Sequence, residues 1–226
     1  MHSRYEMRLK VETSFFLWTF SYNNILYTKF SKDNNCRVED TMEPGQILHR
    51  FTAKGGRDVI LRTPKWEDID DLLELINTLI DENADIWMRE TVTGNDQIDW
   101  LSRRLAAIEK CEIIQIVAEI NGHVIANTDV TIKTGSRSDV GDIGIIIHQD
   151  YRDIGIGTEM MKQLITQAKE RGLKIVTLGV FATNTRAKHV YEKFGFRECG
   201  RIPGEIYKNG QYIDHITMVK ILDEPK

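Results

Sequence analysis

The chain has 226 residues, of which 41% are hydrophobic and 28% are charged, and its formal net charge is -4. This length and apolar fraction are typical of one globular domain with a full core, and they exclude a disordered or fibrous protein. Phosphate contacts are made largely by clustered Lys and Arg, so the acidic balance also argues against nucleic acid as a partner.

The first 41 residues differ in composition and pattern from the rest of the chain. The stretch SFFLWTFSYNNILYTKF is aromatic and β-prone, but it is too short and too interrupted for a membrane span. Its apolar core, Phe15 to Phe20, is also short for a signal peptide. We therefore predict no membrane segment, an N-terminal extension over residues 1–41 and one domain over residues 42–226. Whether the extension is an appended hairpin or an upstream segment stays open.

The cysteines give no sign of a metal site. Cys36, Cys111 and Cys199 lie far apart, and neither they nor the six histidines show metal-ligand spacing. We expect no metal and, as the simplest reading, a reducing cytoplasmic compartment.

The first half of the domain alternates strand and helix patterns. A strand is predicted from Arg57, and Pro64 then opens a helix with apolar residues at helical spacing. A second helix is predicted over residues 96–110. The segment EIIQIVAEINGHVIANTDVTI predicts two strands joined at Asn121-Gly122, because both residues of this dipeptide tolerate positive φ.

The second half predicts a strand, helix, strand unit. VGDIGIIIHQD is a strand, a helix follows Tyr151 and stops at Gly172, and KIVTLGVFA is an apolar strand suited to a parallel crossover. Asn184 is placed to cap a further helix that closes at Gly195. Three further strands are predicted over FRECGRI, GEIY and QYIDHITMVKIL, and the last two are joined by a turn at residues 209–210.

Two glycines stand where a strand becomes a helix, in the pattern Arg152-x-x-Gly155-x-Gly157. A helix start attracts phosphate through its unpaired N–H groups and its dipole. A P-loop would need Lys after the second glycine, where Thr158 stands, and a dinucleotide fingerprint would need a third glycine where Met160 stands. Both nucleotide motifs are therefore disfavoured.

With its flanks this pattern resembles the acetyl-coenzyme A signature, Gln/Arg-x-x-Gly-x-Gly/Ala, of the GNAT N-acetyltransferase superfamily. GDIGIIIHQDYRDIGIG is similar to that family's fourth strand and pyrophosphate loop. NTRAKHVYEKFGF is similar to its later Asn-x-x-Ala-x-x-x-Tyr-x-x-x-Gly-Phe segment. The resemblance implies an α/β (α+β) fold, with a central mixed, mostly antiparallel twisted sheet flanked by helices. It also implies acetyl-CoA as the cosubstrate.

The resemblance assigns roles to two segments. Tyr191 would protonate the departing thiolate of coenzyme A, Asn184 would contact the pantetheine arm, and the backbone N–H of Ile147 would polarise the thioester carbonyl. A core tyrosine with a satisfied hydroxyl is the alternative for Tyr191. The residues expected to bind the coenzyme are Ile145, Ile147, Arg152, Asp153, Ile154, Gly155, Ile156, Gly157, Thr158, Asn184, Ala187 and Tyr191.

Asp142 is the candidate general base. It stands ten residues before Arg152, where several family members place an acidic residue, and alternation puts it opposite the isoleucine face of its strand. It would take a proton from the amine directly or through water. A solvated carboxylate at the strand edge is the equal alternative, and His148 on the same face could substitute for it.

The acceptor side is acidic. Nine carboxylates lie from Glu67 to Glu90 against one base, Arg89, and in the GNAT family the first helices border the acceptor site. A cationic polyamine, a protein N-terminus or another small amine would fit, although a solvated acidic face is the plainer account. The candidate substrate-binding residues are Asp81, Glu82, Asp85 and Trp87.

Two classes of function remain after this reading. The first is an N-acetyltransferase in which the amine attacks the thioester directly, since no cysteine stands in a motif position. The second is a non-catalytic module that binds acyl-CoA. Sheet edges in the family often pair between subunits, which leads us to expect a homodimer.

Overall fold

The computed structural model describes residues 42–222, so the extension predicted over residues 1–41 lies outside the described residues. Eight strands and four helices follow one another. They are β1 (Ile47–Ala53), β2 (Arg57–Arg62), α1 (Ile69–Asp81), α2 (Gly94–Glu109), β3 (Ile113–Ile120), β4 (His123–Ile132), β5 (Val140–Ile147), α3 (Ile156–Glu170), β6 (Ile175–Phe181), α4 (Thr185–Lys193), β7 (Arg197–Lys208) and β8 (Gln211–Ile221).

The strands form one eight-stranded sheet in the order β1-β2-β3-β4-β5-β6-β8-β7. Every neighbouring pair is antiparallel except β5 and β6, which run parallel and are joined through α3. The predicted mixed, mostly antiparallel sheet flanked by helices is thereby confirmed, as is the parallel crossover.

Each face of the sheet carries its own apolar cluster. On one face α3 buries Met160, Met161 and Leu164 completely, and each such side chain contributes about 1.5–3 kcal/mol through removal of apolar surface from water. On the opposite face Leu72 of α1 and Leu101 of α2 pack with alternate residues of the central strands. The two faces of the sheet are therefore covered by different helices.

The turn and cap predictions agree with the structure. Asn121 and Gly122, between β3 and β4, both have positive φ. Residues 209–210, between β7 and β8, also have positive φ. The side chain of Asn184 accepts a hydrogen bond from the N–H of Ala187 at 3.1 Å and caps α4.

Two boundaries differ from the prediction. The α-helix expected from Pro64 begins at Ile69, after a short 3-10 turn. FRECGRI and GEIY form the single strand β7, whose pairing with β8 is irregular between Ile202 and Ile206. Pro203 lies in this irregular stretch, and a proline has no N–H to donate to a ladder.

A buried ion cluster ties β2 to β3 and to the start of α1. The Arg62 guanidinium donates to both Asp68 carboxylate oxygens at 2.7 Å and to Glu119 Oε2 at 2.6 Å. Only 5% of the Arg62 side chain and 3% of the Asp68 side chain are exposed. A planar, forked donor is needed to serve both carboxylates at once.

Arg62→Lys is expected to destabilise the fold by about 1–3 kcal/mol, because an ammonium cannot replace the bidentate contacts and leaves buried oxygens unsatisfied. The measurement is the urea midpoint at an unchanged slope. Arg50→Lys on the exposed side of β1 is the matched control. Equal midpoints for both variants would contradict the structural role of the cluster.

Candidate active site

The strands β5 and β6 pair along only part of their length. Their ladder runs from the pair Val140 and Ile175 to the pair Ile143 and Leu178. Both strands continue beyond it, β5 to Ile147 and β6 to Phe181. An opening therefore begins in the middle of the sheet, where two neighbouring strands stop bonding to each other.

Backbone groups of β5 point into this opening. The N–H of His148 donates to the carbonyl of Ile125 at 3.0 Å, so the neighbouring pair Ala126 and Ile147 is a non-hydrogen-bonded pair of the antiparallel ladder. In that register the N–H groups of Ile145 and Ile147 face β6 rather than β4. Because the ladder with β6 has ended, these two donors lack a partner in the sheet.

The same reasoning applies to β6. The N–H of Ala182 donates to the carbonyl of Asp214 at 2.9 Å, which makes Phe181 and His215 a non-hydrogen-bonded pair. The carbonyl of Gly179 and the N–H of Phe181 therefore face the opening. Donors and acceptors from both strands line it, as the two amides of a pantetheine arm would require.

The glycine loop forms the start of α3. Gly155 is the N-cap residue with φ of 98°, and the space where its side chain would stand is open. A Cβ on Gly157 would lie 2.9 Å from Ile147 Cδ1, so a side chain there would crowd the end of β5. Lys54 N–H donates to the Ile154 carbonyl at 3.0 Å and holds the loop. The first N–H groups of the helix have no intrahelical acceptor, the arrangement by which helix N-termini bind anions in other proteins.

Other predicted loop residues have different surroundings. Arg152 donates through Nε to the Ile147 carbonyl at 2.9 Å and pairs with Glu82, so its guanidinium bridges the end of β5 to the end of α1. Asp153 pairs with Arg186 of α4 at 2.6 Å, and both side chains are more than half exposed. The Arg152 side chain thus connects the end of β5, which borders the opening, to the end of α1.

The remaining members of the loop divide between core and surface. Ile156, the first residue of α3, is buried in the core, and Ile154 packs at the edge of the same core. Thr158 is exposed in the first turn of α3. Their backbone N–H groups, rather than their side chains, are the parts that could meet a phosphate.

The helix α4 begins where β6 ends, beside the opening. Asn184 N–H donates to the Phe181 carbonyl at 2.9 Å, and its side-chain oxygen accepts from Ala187 N–H. This geometry leaves the Asn184 side-chain NH₂ to donate to a ligand. Tyr191 lies two turns along, with its ring centroid 6.1 Å from that of Phe196. The structure thus keeps Asn184, Ala187 and Tyr191 on one helix next to the opening.

Burial raises the pKa of Tyr191 to about 12. Within residues 42–222 no hydrogen bond to its hydroxyl contributes to this shift, so desolvation alone disfavours the phenolate. The phenol therefore stays protonated at every physiological pH.

The raised pKa of Tyr191 predicts an alkaline loss of stability. An unfolded tyrosine titrates near pH 10, so the stabilisation is fully present below pH ~10 and is lost as the pH rises towards the folded value of about 12. The wild type should lose more free energy of unfolding than Tyr191→Phe between about pH 9 and about pH 11. Urea titrations at both pH values measure this, and an equal loss in the two proteins would contradict the shift.

Two carboxylates lie on the sheet face opposite α3. Asp142 is exposed, and its Oδ1 accepts the hydroxyl proton of Thr177 at 2.7 Å. Asp129 of β4 lies beside it, and it receives Arg104 Nη2 at 2.8 Å and the Thr131 hydroxyl at 3.2 Å. Burial raises the Asp129 pKa against the pull of Arg104, and the charge of Asp142 adds to the rise. Sequence reasoning missed Asp129, because a carboxylate on an alternating strand resembles a solvated one.

The predicted acidic residues after α1 are largely neutralised. Glu82 pairs with Arg152, while Asp85 Oδ1 accepts from Lys208 Nζ at 2.7 Å. Lys208 Nζ also donates to the carbonyls of residues 83 and 84, and so holds the loop between α1 and α2 against the β7–β8 hairpin. Asp81 is exposed. The charge on this loop is therefore weaker than the carboxylate count indicates.

Trp87 lies over the end of β6. Its ring centroid is 5.3 Å from that of Phe181 and 4.9 Å from that of His215, which it meets edge-on. The predicted alternative base, His148, accepts the Asp150 N–H at 3.3 Å at the start of the turn before the glycine loop. Trp87 thus belongs to the face of Asp142, with His215 as a neighbour that sequence reasoning did not single out.

The described residues contain neither a candidate metal site nor a helix that could span a membrane. Across residues 42–222 no group of three or more His, Cys, Asp or Glu side chains is arranged to hold a metal ion. In the same range no helix has the length and apolarity needed to cross a membrane.

Comparison with known proteins agrees with the fold. The model of the acetyltransferase (GNAT) family matches residues 72–196, more than half of the chain. The L-amino acid N-acyltransferase MnaT of Escherichia coli K12 is 26% identical over 167 residues, which cover 73% of this chain and 94% of that protein. The L-amino acid N-acetyltransferase AaaT of the same organism is 30% identical over 112 residues, covering 48% and 68%.

The structure of yncA from Salmonella typhimurium, solved with its cofactor acetyl-CoA, has a TM-score of 0.65 at 21% identity. It covers 74% of this chain and 95% of its own. The chain belongs to the GNAT family of acetyl-CoA-dependent acyltransferases. The predictions of family, fold, enzyme class and cosubstrate are confirmed at this level.

Proposed function

We propose that this enzyme transfers the acetyl group of acetyl-CoA to the primary amine of a free amino acid or a closely related small molecule. The observation that carries the proposal is the opening between β5 and β6, where the N–H groups of Ile145 and Ile147 lack sheet partners beside a glycine-rich helix start. The names of MnaT and AaaT, both L-amino acid N-acyltransferases or N-acetyltransferases, support the acceptor class.

The coenzyme would lie along groups already described. Acetyl-CoA supplies the acetyl group as a thioester. The helix start at Gly155 to Thr158 would bind its pyrophosphate, and the open backbone groups of β5 and β6 would bind its pantetheine arm. The N–H groups of Ile145 and Ile147 are the donors for the thioester carbonyl and its oxyanion, and Ile145 lies nearer to the point where the strands part.

Tyr191 would act on the departing sulfur as a hydrogen-bond donor. Its pKa of about 12 lies above that of an ordinary thiol, about 8.5, so complete proton transfer to the thiolate is unfavourable. A partly buried, protonated phenol can still stabilise the developing negative charge with little solvent reorganisation. This role modifies the prediction that Tyr191 protonates the thiolate.

The amine would approach from the face that carries Asp129 and Asp142. Negative charge there attracts a cationic ammonium group, and Arg104 beside Asp129 supplies a positive charge within reach of the same face. Charges of both signs suit a zwitterionic amino acid better than a polyamine. Asp142, which the resemblance predicts as the general base, would add its negative charge to this attraction.

The test is release of free thiol from acetyl-CoA in the presence of a panel of L-amino acids, polyamines and peptides with free N-termini. Calorimetric titration with coenzyme A accompanies it. Turnover with amino acids is the expected result. Turnover with only polyamines or only peptides would overturn the acceptor class, and coenzyme binding with no turnover on any amine would favour a non-catalytic acyl-CoA module.

A further inference from the structure

We propose that His215 is the catalytic base and that its Nε2 atom takes the proton from the attacking amine, directly or through one water molecule. The inference rests on the proposed function and assigns a residue that neither the glycine loop nor the α4 motif contains. His215 stands on β8, on the sheet face where the amine would enter.

Glu205 selects the tautomer that a base requires. Its Oε2 atom lies 2.6 Å from His215 Nδ1, so Nδ1–H donates to the carboxylate and the lone pair is left on Nε2. Within residues 42–222, Nε2 is buried and has no hydrogen-bond partner. A buried imidazole nitrogen without a partner is costly, and such groups are found where a ligand supplies the missing contact.

Space for the imidazole exists because residue 179 is glycine. A Cβ on Gly179 would overlap His215 Nε2. Gly179 is the first β6 residue beyond the last pair with β5, so Nε2 lies over the point where the opening begins. The counterpart on β5 is Gly144, where a Cβ would lie 3.2 Å from Asp129 Oδ1. Two glycines thus lie beneath one imidazole and one carboxylate at the mouth of the opening.

The surroundings of His215 are mainly apolar or acidic. Trp87 meets the ring edge-on, and Phe181 is paired with His215 across the ladder. Three charged groups lie on the elements around it. Glu205 on β7 contacts the imidazole directly, and Asp142 on β5 accepts a hydrogen bond from Thr177 of β6. Lys208 is the third, and its Nζ lies 5.6 Å from the centre of the Phe181 ring. The acidic groups attract the ammonium form of the substrate towards the imidazole.

A general base needs a lone pair that is free to accept the proton, and among the described residues His215 Nε2 has no hydrogen-bond partner that uses its lone pair. Asp142 is exposed and already accepts the Thr177 hydroxyl. We therefore assign Asp142 to electrostatic attraction of the amine and His215 to proton removal.

The step balances without any further reactant. An ammonium substrate first gives one proton to water. The nitrogen of the neutral amine then forms a bond to the thioester carbon, the carbonyl pair moves to oxygen, and one N–H proton passes to His215 Nε2. The carbonyl then re-forms, the C–S bond breaks, and the electron pair leaves on sulfur next to Tyr191. The products are the amide and coenzyme A, and the proton on His215 returns to the thiolate or to water.

His215→Ala is expected to lower kcat/KM for the amine by about 100- to 10,000-fold while leaving the calorimetric Kd for coenzyme A unchanged. Added imidazole should restore part of the turnover, which a merely structural role would not produce. His123→Ala, at an exposed histidine at the start of β4, is the matched control and should behave as wild type. Asp142→Asn should lose less than His215→Ala.

Gly179→Ala supplies a second route to the same test, because its added Cβ displaces the imidazole without removing it. It should lose turnover as His215→Ala does, and the double variant should be no worse than either single variant. If His215→Ala turns over within about threefold of wild type, or if Gly179→Ala retains full turnover, the assignment is overturned. A wild type that acetylates no amine would instead overturn the proposed function.

Discussion

Replacing Tyr191 with Phe is expected to lower kcat by about 100- to 1,000-fold and to leave the Kd for coenzyme A near the wild-type value. The substitution removes only a hydroxyl, and the lost interaction is made to a sulfur that becomes negative in the transition state. The pKa of about 12 makes the hydroxyl a reliable donor throughout the working pH range. Steady-state thiol release and calorimetry on the same preparation separate the two effects.

Tyr212→Phe is the control for this experiment. Tyr212 is 75% exposed on β8, so loss of its hydroxyl should change neither kcat nor coenzyme affinity. Unchanged kcat in Tyr191→Phe would remove this residue from the mechanism and would support the alternative that Tyr191 is a core tyrosine. A loss of coenzyme affinity as large as the loss of kcat would indicate a binding role instead.

Replacing Gly157 with Val is expected to weaken coenzyme A binding by about 100-fold or more. A side chain at this position crowds Ile147 Cδ1, so the start of α3 must shift and displace the N–H groups proposed to bind the pyrophosphate. Losing two charge-assisted hydrogen bonds of about 1.5–3 kcal/mol each accounts for such a change. Calorimetric titration with coenzyme A measures the effect directly.

Gly94→Val gives the matched substitution, because Gly94 also opens a helix, and a Cβ there meets no other atom within 4 Å. Its coenzyme affinity should equal that of wild type. A Gly157→Val protein that binds coenzyme A as tightly as wild type would show that phosphate does not approach this helix start.

The fold could be predicted largely from local patterns. Alternation, helical spacing and two Asn-Gly turns determine most elements within a few residues, because these features depend on the periods of strand and helix. The junction of β7 was missed since its bulge depends on pairing with β8, which local sequence does not specify. The predicted domain limits at residues 42 and 226 and the homodimer remain predictions.

The site could be predicted only in part. Gly155, Gly157, Asn184 and Tyr191 lie in short motifs whose spacing is visible in the sequence. The space over Gly179 arises from β6 and β8, which are neighbours only in the folded sheet, and the contact between Glu205 and His215 depends on the irregular pairing within the β7–β8 hairpin. No periodicity in the sequence brings these residues together.

The charge of the acidic loop between α1 and α2 could not be predicted from the sequence either. Counting carboxylates predicts a strongly negative acceptor site, but Lys208 reaches Asp85 across 123 positions of sequence and Arg152 reaches Glu82 across 70. Charge at a site depends on such distant partners as well as on local composition. The cations bind the loop to the sheet and weaken its pull on an amine.

The most direct measurement is mass spectrometry of an L-amino acid panel after incubation with the purified enzyme and acetyl-CoA that carries an isotopically labelled acetyl group. We predict that the labelled acetyl group appears on the α-amino nitrogen of at least one amino acid, and that this product is absent when Gly157→Val replaces the wild type. Labelled product formed equally by both proteins, or no labelled product while coenzyme A binds tightly, would contradict acetyl transfer at the opening between β5 and β6.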